Sequence, residues 1–228
     1  MNKGMPTRQE LLKEAEELQK QLAKNLPSRV KRESISNTSK TALKAHVIRA
    51  SLFHRITELA EVAIDLYRQD RLIAAFVITR SAFETAALAH HTYKHIDKVV
   101  ETGKIGDIDE TLMNVLFGER LPESECKAVN ILTTIDKLEK EATGVRNLYE
   151  GLCEFAHTNW SGAMGAYAKD DQGPFTLDFD QKHENIPPEA GLEALIAALT
   201  IFEYSESAMS NILPDFTKLH EESEENAN

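Results

Sequence analysis

The chain has 228 residues, 42% of them hydrophobic and 28% charged, with a formal net charge of −11. That length suits one large domain or two small ones with a substantial core; ten glycines and seven prolines among frequent Ala and Leu favour helix over a sandwich or barrel. The acidic balance excludes a general nucleic-acid coat, because phosphate binding needs clustered Lys and Arg, although one local basic pocket stays compatible with it.

At the N-terminus, "MNKGMPTRQELLKEAEELQK" carries charge throughout and has no apolar signal core. No apolar run is read as reaching the roughly 18–20 residues of a membrane span. Cys126 and Cys153 fall in different expected helices without ligand spacing, which fits a reducing compartment. The expectation is a cytoplasmic protein with no membrane partner.

Thr7 and Glu10 have capping-box spacing, and Leu11, Ala15, Leu18 and Leu22 follow at helical intervals. This helix should end near Asn25 to Pro27. Its apolar stripe is narrow, so residues 1–37 read as a helical arm and polar linker that docks on its own domain or on a second copy.

From Ser39 to Tyr67 the pattern is helical again, and Asp70 is placed to cap the next helix, running from Arg71 to Val100. The "RQD" link between them leaves room only for a long antiparallel hairpin. Gly103 and Gly106 break the chain. Asp107 with Glu110 should cap a shorter helix over "ETLMNVLF", and Pro122 should precede another over residues 125–142, ending at Gly144. A helix from Val145 to His157 comes next. Residues 166–180 alternate around a D-Q-G-P turn and suit a small β-hairpin near 165–180. Pro187 and Pro188 introduce a last long helix that Pro214 should end, leaving residues 214–228 as an acidic, largely disordered tail. The fold class expected is all-α, a helical bundle over residues 38–213 built on the hairpin.

Chemistry concentrates in "YEGLCEFAHTNW", residues 149–160. Tyr149, Leu152, Cys153 and Ala156 share one helix face, while Glu150, Glu154 and His157 form a polar line. Glu154 and His157, three apart, can orient the imidazole for proton transfer. The competing reading is a histidine at a helix C-terminus, favourable with the dipole there. Glu-x-x-His is also half of a carboxylate-bridged di-metal site, but a second copy of the motif is absent from the sequence.

Arg80 and Glu84 lie four apart on a helix face near Ile73, Val77 and Phe83. An ion pair beside an apolar stripe costs desolvation unless well partnered, so it reads as a structural network or as a site. His91 and His95 have the spacing of helical zinc ligands without the Glu of H-E-x-x-H, and "HHTYKHIDK" reads as a solvated helix end. In "RASLFH", Arg49 and His54 enclose four residues, the Arg-x(4–6)-His spacing of metal-independent helical ribonucleases. There histidine handles the proton of the 2′-hydroxyl and arginine steadies phosphate charge.

The hairpin, "RSAFE" at 80–84 and "YEGLCEFAH" at 149–157 together resemble a bacterial all-helical family related to the HEPN (higher eukaryotes and prokaryotes nucleotide-binding) superfamily. The likeness covers roughly residues 45–160. It implies an α-helical bundle, often dimeric, sometimes associated with phage defence or toxin–antitoxin pairs, in a superfamily whose members cleave or bind RNA. The chain departs from the pattern in having ten residues between Arg146 and His157, and Ala50 where a polar residue often follows the arginine.

The preferred expectation is therefore a HEPN-like binding or interaction scaffold, a homo-oligomer with a protein partner for its acidic surface. Its site would lie where the Arg80/Glu84 helix meets the Glu154/His157 helix end. The alternative is a metal-independent ribonuclease with His157 as general acid or base, Arg80 as phosphate clamp, Glu84 or Glu154 orienting them, and Asn159 hydrogen-bonding the phosphate or the histidine loop. Arg49 and His54 are the fallback pair. A third reading gathers Glu84, Glu154, His157 and His90 or His91 around a metal. The preferred reading needs no cofactor and no metal.

Overall fold

The computed structural model describes residues 5–36, 38–170, 176–180 and 186–227. Among them are eight α-helices and one two-stranded sheet, the all-α bundle expected from the periodicity.

Helix α1 (Arg8–Lys24) opens on the expected capping box, in which the Thr7 N–H donates to Glu10 Oε2 at 2.8 Å and the Glu10 N–H donates to Thr7 Oγ1 at 3.4 Å. Helices α2 (Lys40–Arg68) and α3 (Leu72–Thr102) form the long hairpin, and the last helix, α8 (Pro188–Ala227), packs on both. The arm docks on its own chain: α1 lays the buried Leu11, Ala15 and Leu22 against α2 and α8. Arg8 fastens it to the hairpin turn through the Tyr67 carbonyl and Asp70, and Glu16 pairs with Arg68 at 2.6 Å.

Helix α3 is the centre of the bundle. Its small buried residues Ala75, Ala82, Ala86 and Ala89 bring neighbouring helices close, while Phe76 and Phe83 fill the gaps between them. Phe53 meets Phe202 edge-on at 5.3 Å and Phe76 meets Phe155 at 4.7 Å, tying α2 to α8 and α3 to α6 (Val145–Ala156). Full burial of such a ring contributes about 1.5–3 kcal/mol. By length and composition α3 could cross a membrane, contrary to the sequence reading. In the fold 56% of its apolar window is buried, as a central bundle helix requires.

Several boundaries differ from expectation. Asp70 does not cap α3; it takes a left-handed φ of 56° in the hairpin turn and pairs with Arg8 instead. The Asp107 side chain likewise makes no cap on α4 (Ile108–Phe117). Helix α5 is only Ile131–Glu139, because Asn130 accepts the N–H groups of Leu132 and Thr133 and fixes the start there. The segment before it forms a parallel bridge between Glu119 and Lys127 rather than a helical turn.

After α6, a short helix α7 (Met164–Tyr167) leads into the small hairpin, where β1 (Ala168–Asp170) pairs antiparallel with β2 (Leu177–Phe179). The D-Q-G-P turn expected at 171–174 lies outside the described residues. Pro214 sits inside α8 rather than at its end, and the helix runs on to Ala227 in place of the expected disordered tail. Proline removes one backbone hydrogen bond, but Leu213, Phe216 and His220 beside it are buried. Tertiary packing there outweighs the local break.

Candidate functional site

Arg80 and Glu84 stand one turn apart on α3, and the side chain that completes their site comes from α6. Arg80 Nε lies 3.1 Å from Glu84 Oε1, and the Tyr149 hydroxyl donates to that same oxygen at 2.8 Å. Arg80 in turn donates to the Tyr149 oxygen through Nε and Nη2, at 3.4 and 3.3 Å, with its guanidinium carbon 5.6 Å from the ring centroid.

Tyr149 is 1% exposed, while the Arg80 and Glu84 side chains keep 29% and 32% of their surface. The three form a closed circuit at the edge of the core, partly wetted, so each charge is paired without full desolvation. Burial works against the Arg80 charge, but the Tyr149 hydroxyl, with Cys153 and Glu84 beyond it, outweighs that and holds its pKa above the usual range. For Tyr149, burial raises the pKa, Arg80 opposes and Glu84 reinforces, so the phenol keeps its proton. Such a circuit locks α3 to α6 and presents no free base.

His157 stands apart from it. It terminates α6 in an extended conformation, its N–H donating to the Cys153 carbonyl at 3.1 Å. Its exposed side chain makes no hydrogen bond or ion pair among the described residues. Tyr149 precedes it by eight residues, roughly 12 Å along the helix axis. Glu154 does not orient His157; its Oε2 accepts from Asn159 Nδ2 at 3.0 Å, and Asn159 Oδ1 accepts the Gly162 N–H at 3.0 Å. These two residues staple the turn that follows α6. A Cβ at Gly162 would lie 1.9 Å from the His157 carbonyl oxygen, so the turn closes only on glycine.

Arg49 and His54 do not converge either. Arg49 faces α8 and pairs with Glu206, while His54 Nε2 bonds the Pro27 carbonyl at 2.9 Å on the linker side. They stand five positions apart, about 140° around a helix, so their side chains diverge. The metal reading finds no support in the geometry: among the described residues no group of three or more His, Cys, Asp or Glu is gathered for a cation.

The stretch "HHTYKHIDK" is not the solvated helix end expected. It lies inside α3, with His90, Thr92, Tyr93 and Ile96 buried. His91, Lys94, His95 and Lys98 face Thr134 and Lys137 of α5 across a cavity of about 270 Å³. Burial, then His95, Lys137 and His90, push the His91 pKa down to about 4. Burial also lowers His90 and His95, against Glu141 in the first case and with Lys137 in the second. All three imidazoles are neutral at pH 7.

Sequence reasoning found Arg80 and Glu84 but missed Tyr149 as their partner, and missed this cleft. The signal for the cleft was the spacing of 91, 94, 95 and 98, one helix face of imidazole and ammonium groups.

The chain matches no protein-family model, no curated protein and no solved structure.

Proposed function

We propose that this chain is a HEPN-like helical binding protein that acts by noncovalent engagement of a partner and does not cleave RNA. The observation that carries this reading is the Arg80–Tyr149–Glu84 circuit. Metal-independent cleavage needs a proton-transferring group and a cation converging on one phosphate. Here the cation is spent on Tyr149 and Glu84, and His157 lies outside the circuit.

A contact surface is at hand on the shoulder after α6, where Trp160, Met164, Leu177 and Phe179 are exposed at 66, 42, 44 and 67%. The resemblance to dimeric helical proteins supports a second copy as the first occupant of that shoulder.

Incubation of total cellular RNA with the wild-type protein and with His157→Ala, in EDTA, tests the reading. Neither should cleave. Cleavage by the wild type that disappears in the variant would replace the binding protein with a ribonuclease. Light scattering provides the second arm: the wild type should run as a dimer and Trp160→Ser/Phe179→Ser as a monomer, and a monomeric wild type would remove the self-association.

A further inference from the structure

The cleft between α3 and α5 concentrates positive charge in an acidic protein. With its histidines neutral, the lining carries Lys94, Lys98 and Lys137 against Glu141, three positive charges less one negative, or +2, in a chain of net charge −11. Lys94 is shared between Asp97 at 3.9 Å and Glu141 at 3.5 Å. Lys98 and Lys137 make no ion pair among the described residues. Ammonium groups facing one small cavity repel each other, and they disfavour a metal ion on the His91 and His95 rings, whose centroids lie 4.4 Å apart. An anion relieves that repulsion.

The cavity floor specifies which anion. His90 is 6% exposed, flanked by the Tyr93 and Tyr204 rings, and its Nδ1 lies 3.1 Å from Ser205 Oγ. Ser205 has one hydroxyl proton and donates it to the Ile201 carbonyl at 2.7 Å. Its oxygen must therefore accept from His90 Nδ1–H, which assigns the tautomer and leaves Nε2 a bare lone pair. Nε2 has no hydrogen-bond partner; Glu141 Oε2, another acceptor, lies 3.5 Å away. A buried acceptor of this kind needs a donor. The ligand that fits carries negative oxygens for the lysines and one proton for His90.

We infer that this cleft is a binding site for inorganic phosphate as the hydrogen phosphate dianion, with Lys98 and Lys137 on its oxygens and His90 Nε2 accepting its P–OH. The dianion matches Lys98 and Lys137, the two lining lysines that make no ion pair among the described residues. At about 270 Å³ the cavity is below the roughly 300–1,000 Å³ of drug-sized ligand pockets and suits a compact anion. Sulfate has the shape and charge of that dianion but no proton, so it leaves His90 Nε2 unpaired. This inference goes beyond the binding reading above and does not depend on it, since the measurement involves neither RNA nor a partner.

Isothermal titration calorimetry at pH 7 in an amine buffer tests it on the full chain with inorganic phosphate, sulfate and glycerol 2-phosphate as probes. Phosphate should bind more tightly than sulfate by about tenfold or more, the cost of leaving a buried acceptor unpaired. Lys98→Gln/Lys137→Gln, both at exposed positions, should keep the wild-type melting temperature and lose about tenfold or more in phosphate affinity. Three results would overturn the site: no heat with phosphate at about 10 mM, where only dissociation constants near or above the millimolar range escape detection; equal affinity for phosphate and sulfate; or unchanged phosphate affinity in the double variant. Tighter binding of glycerol 2-phosphate than of phosphate would overturn the assignment to the free anion.

Discussion

Tyr149 donates its phenolic proton to Glu84 across the α3–α6 interface at 2.8 Å, and the same oxygen accepts from Arg80. One hydroxyl thus serves both members of an ion pair that would otherwise sit half-desolvated beside Phe83. The circuit explains why an Arg and a Glu persist near an apolar helix face, and it couples the central helix to the one that carries the chemically rich stretch.

Tyr149→Phe isolates the circuit from the packing. The ring and its contact with Phe83 remain, while Glu84 loses a donor and Arg80 an acceptor. The expected loss is about 1.5–3 kcal/mol of folding stability, the range for a hydrogen bond to a charged group, read as a lower urea midpoint with an unchanged slope. His157→Ala, at an exposed position without a side-chain partner among the described residues, should stay within about 0.5 kcal/mol of wild type. Equal midpoints for Tyr149→Phe and wild type would dissolve the structural role of the network.

The contrast between those two residues shows what was legible in the sequence. The hairpin could be read because apolar residues recur at helical spacing on both sides of "RQD", and Arg80 with Glu84 because a pair near an apolar stripe demands an explanation. Tyr149 could be placed on a buried face, but the reach of its hydroxyl across to α3 depends on how the helices pack. The cleft was harder still. "HHTYKH" contains enough polar atoms to pass for solvent-facing helix, and Lys137 arrives from α5, more than forty residues beyond His91. Pro214 misled for the opposite reason: a local helix breaker was overruled by distant contacts at Phe216 and His220.

Gly191 is where α8 rests on the hairpin. A Cβ there would lie 2.1 Å from the Tyr67 hydroxyl and 2.8 Å from the Phe76 ring. Alanine would gain roughly 0.8–1.0 kcal/mol in helix propensity, but overpacking typically costs about 1–3 kcal/mol, and the contacts here are with buried rings. Gly191→Ala should therefore lower the melting temperature. Tyr67→Phe removes the nearest clashing atom, although it also breaks the 3.0 Å bond to Thr79. The double variant should then be more stable than the sum of the two losses implies. Strict additivity would show that α8 shifts instead of clashing.

The arm makes its own prediction. Leu11 and Leu22 are 4% exposed and Ala15 is fully buried, all against α2 and α8 of the same chain. Leu22→Ala should cost roughly 2–5 kcal/mol, as for other buried leucines. A chain lacking residues 1–24 should melt at lower temperature while keeping the oligomeric state of the full chain. Conversion of a dimer to a monomer on that deletion would mean that the arm crosses to a second subunit.

Acid sensitivity is the last consequence of the buried imidazoles. His46, His90, His91, His95 and His220 are all held below their ordinary pKa of 6.5, in each case first by burial. His91 reaches about 4, with His95, Lys137 and His90 adding to the effect. Above pH 6.5 these groups are neutral whether the chain is folded or not, so stability is level. As the pH falls below 6.5 the unfolded chain takes up protons that the folded one refuses, and stability drops until the folded pKa is reached. For His91 that window runs from 6.5 to about 4. The carboxylates with lowered pKa, Glu10, Asp109 and Glu139, act in the same direction but below their ordinary values of 4.5, 3.8 and 4.5, where the histidine effect is ending. Melting temperatures in phosphate-free buffers should therefore hold level from pH 7 to about 6.5 and fall steadily from there to pH 5. His91→Gln should flatten that slope, because glutamine occupies the cleft wall without a proton to refuse. A flat profile from pH 7 to 5, or a wild-type slope in His91→Gln, would mean that the cleft opens to water far more readily than its packing implies.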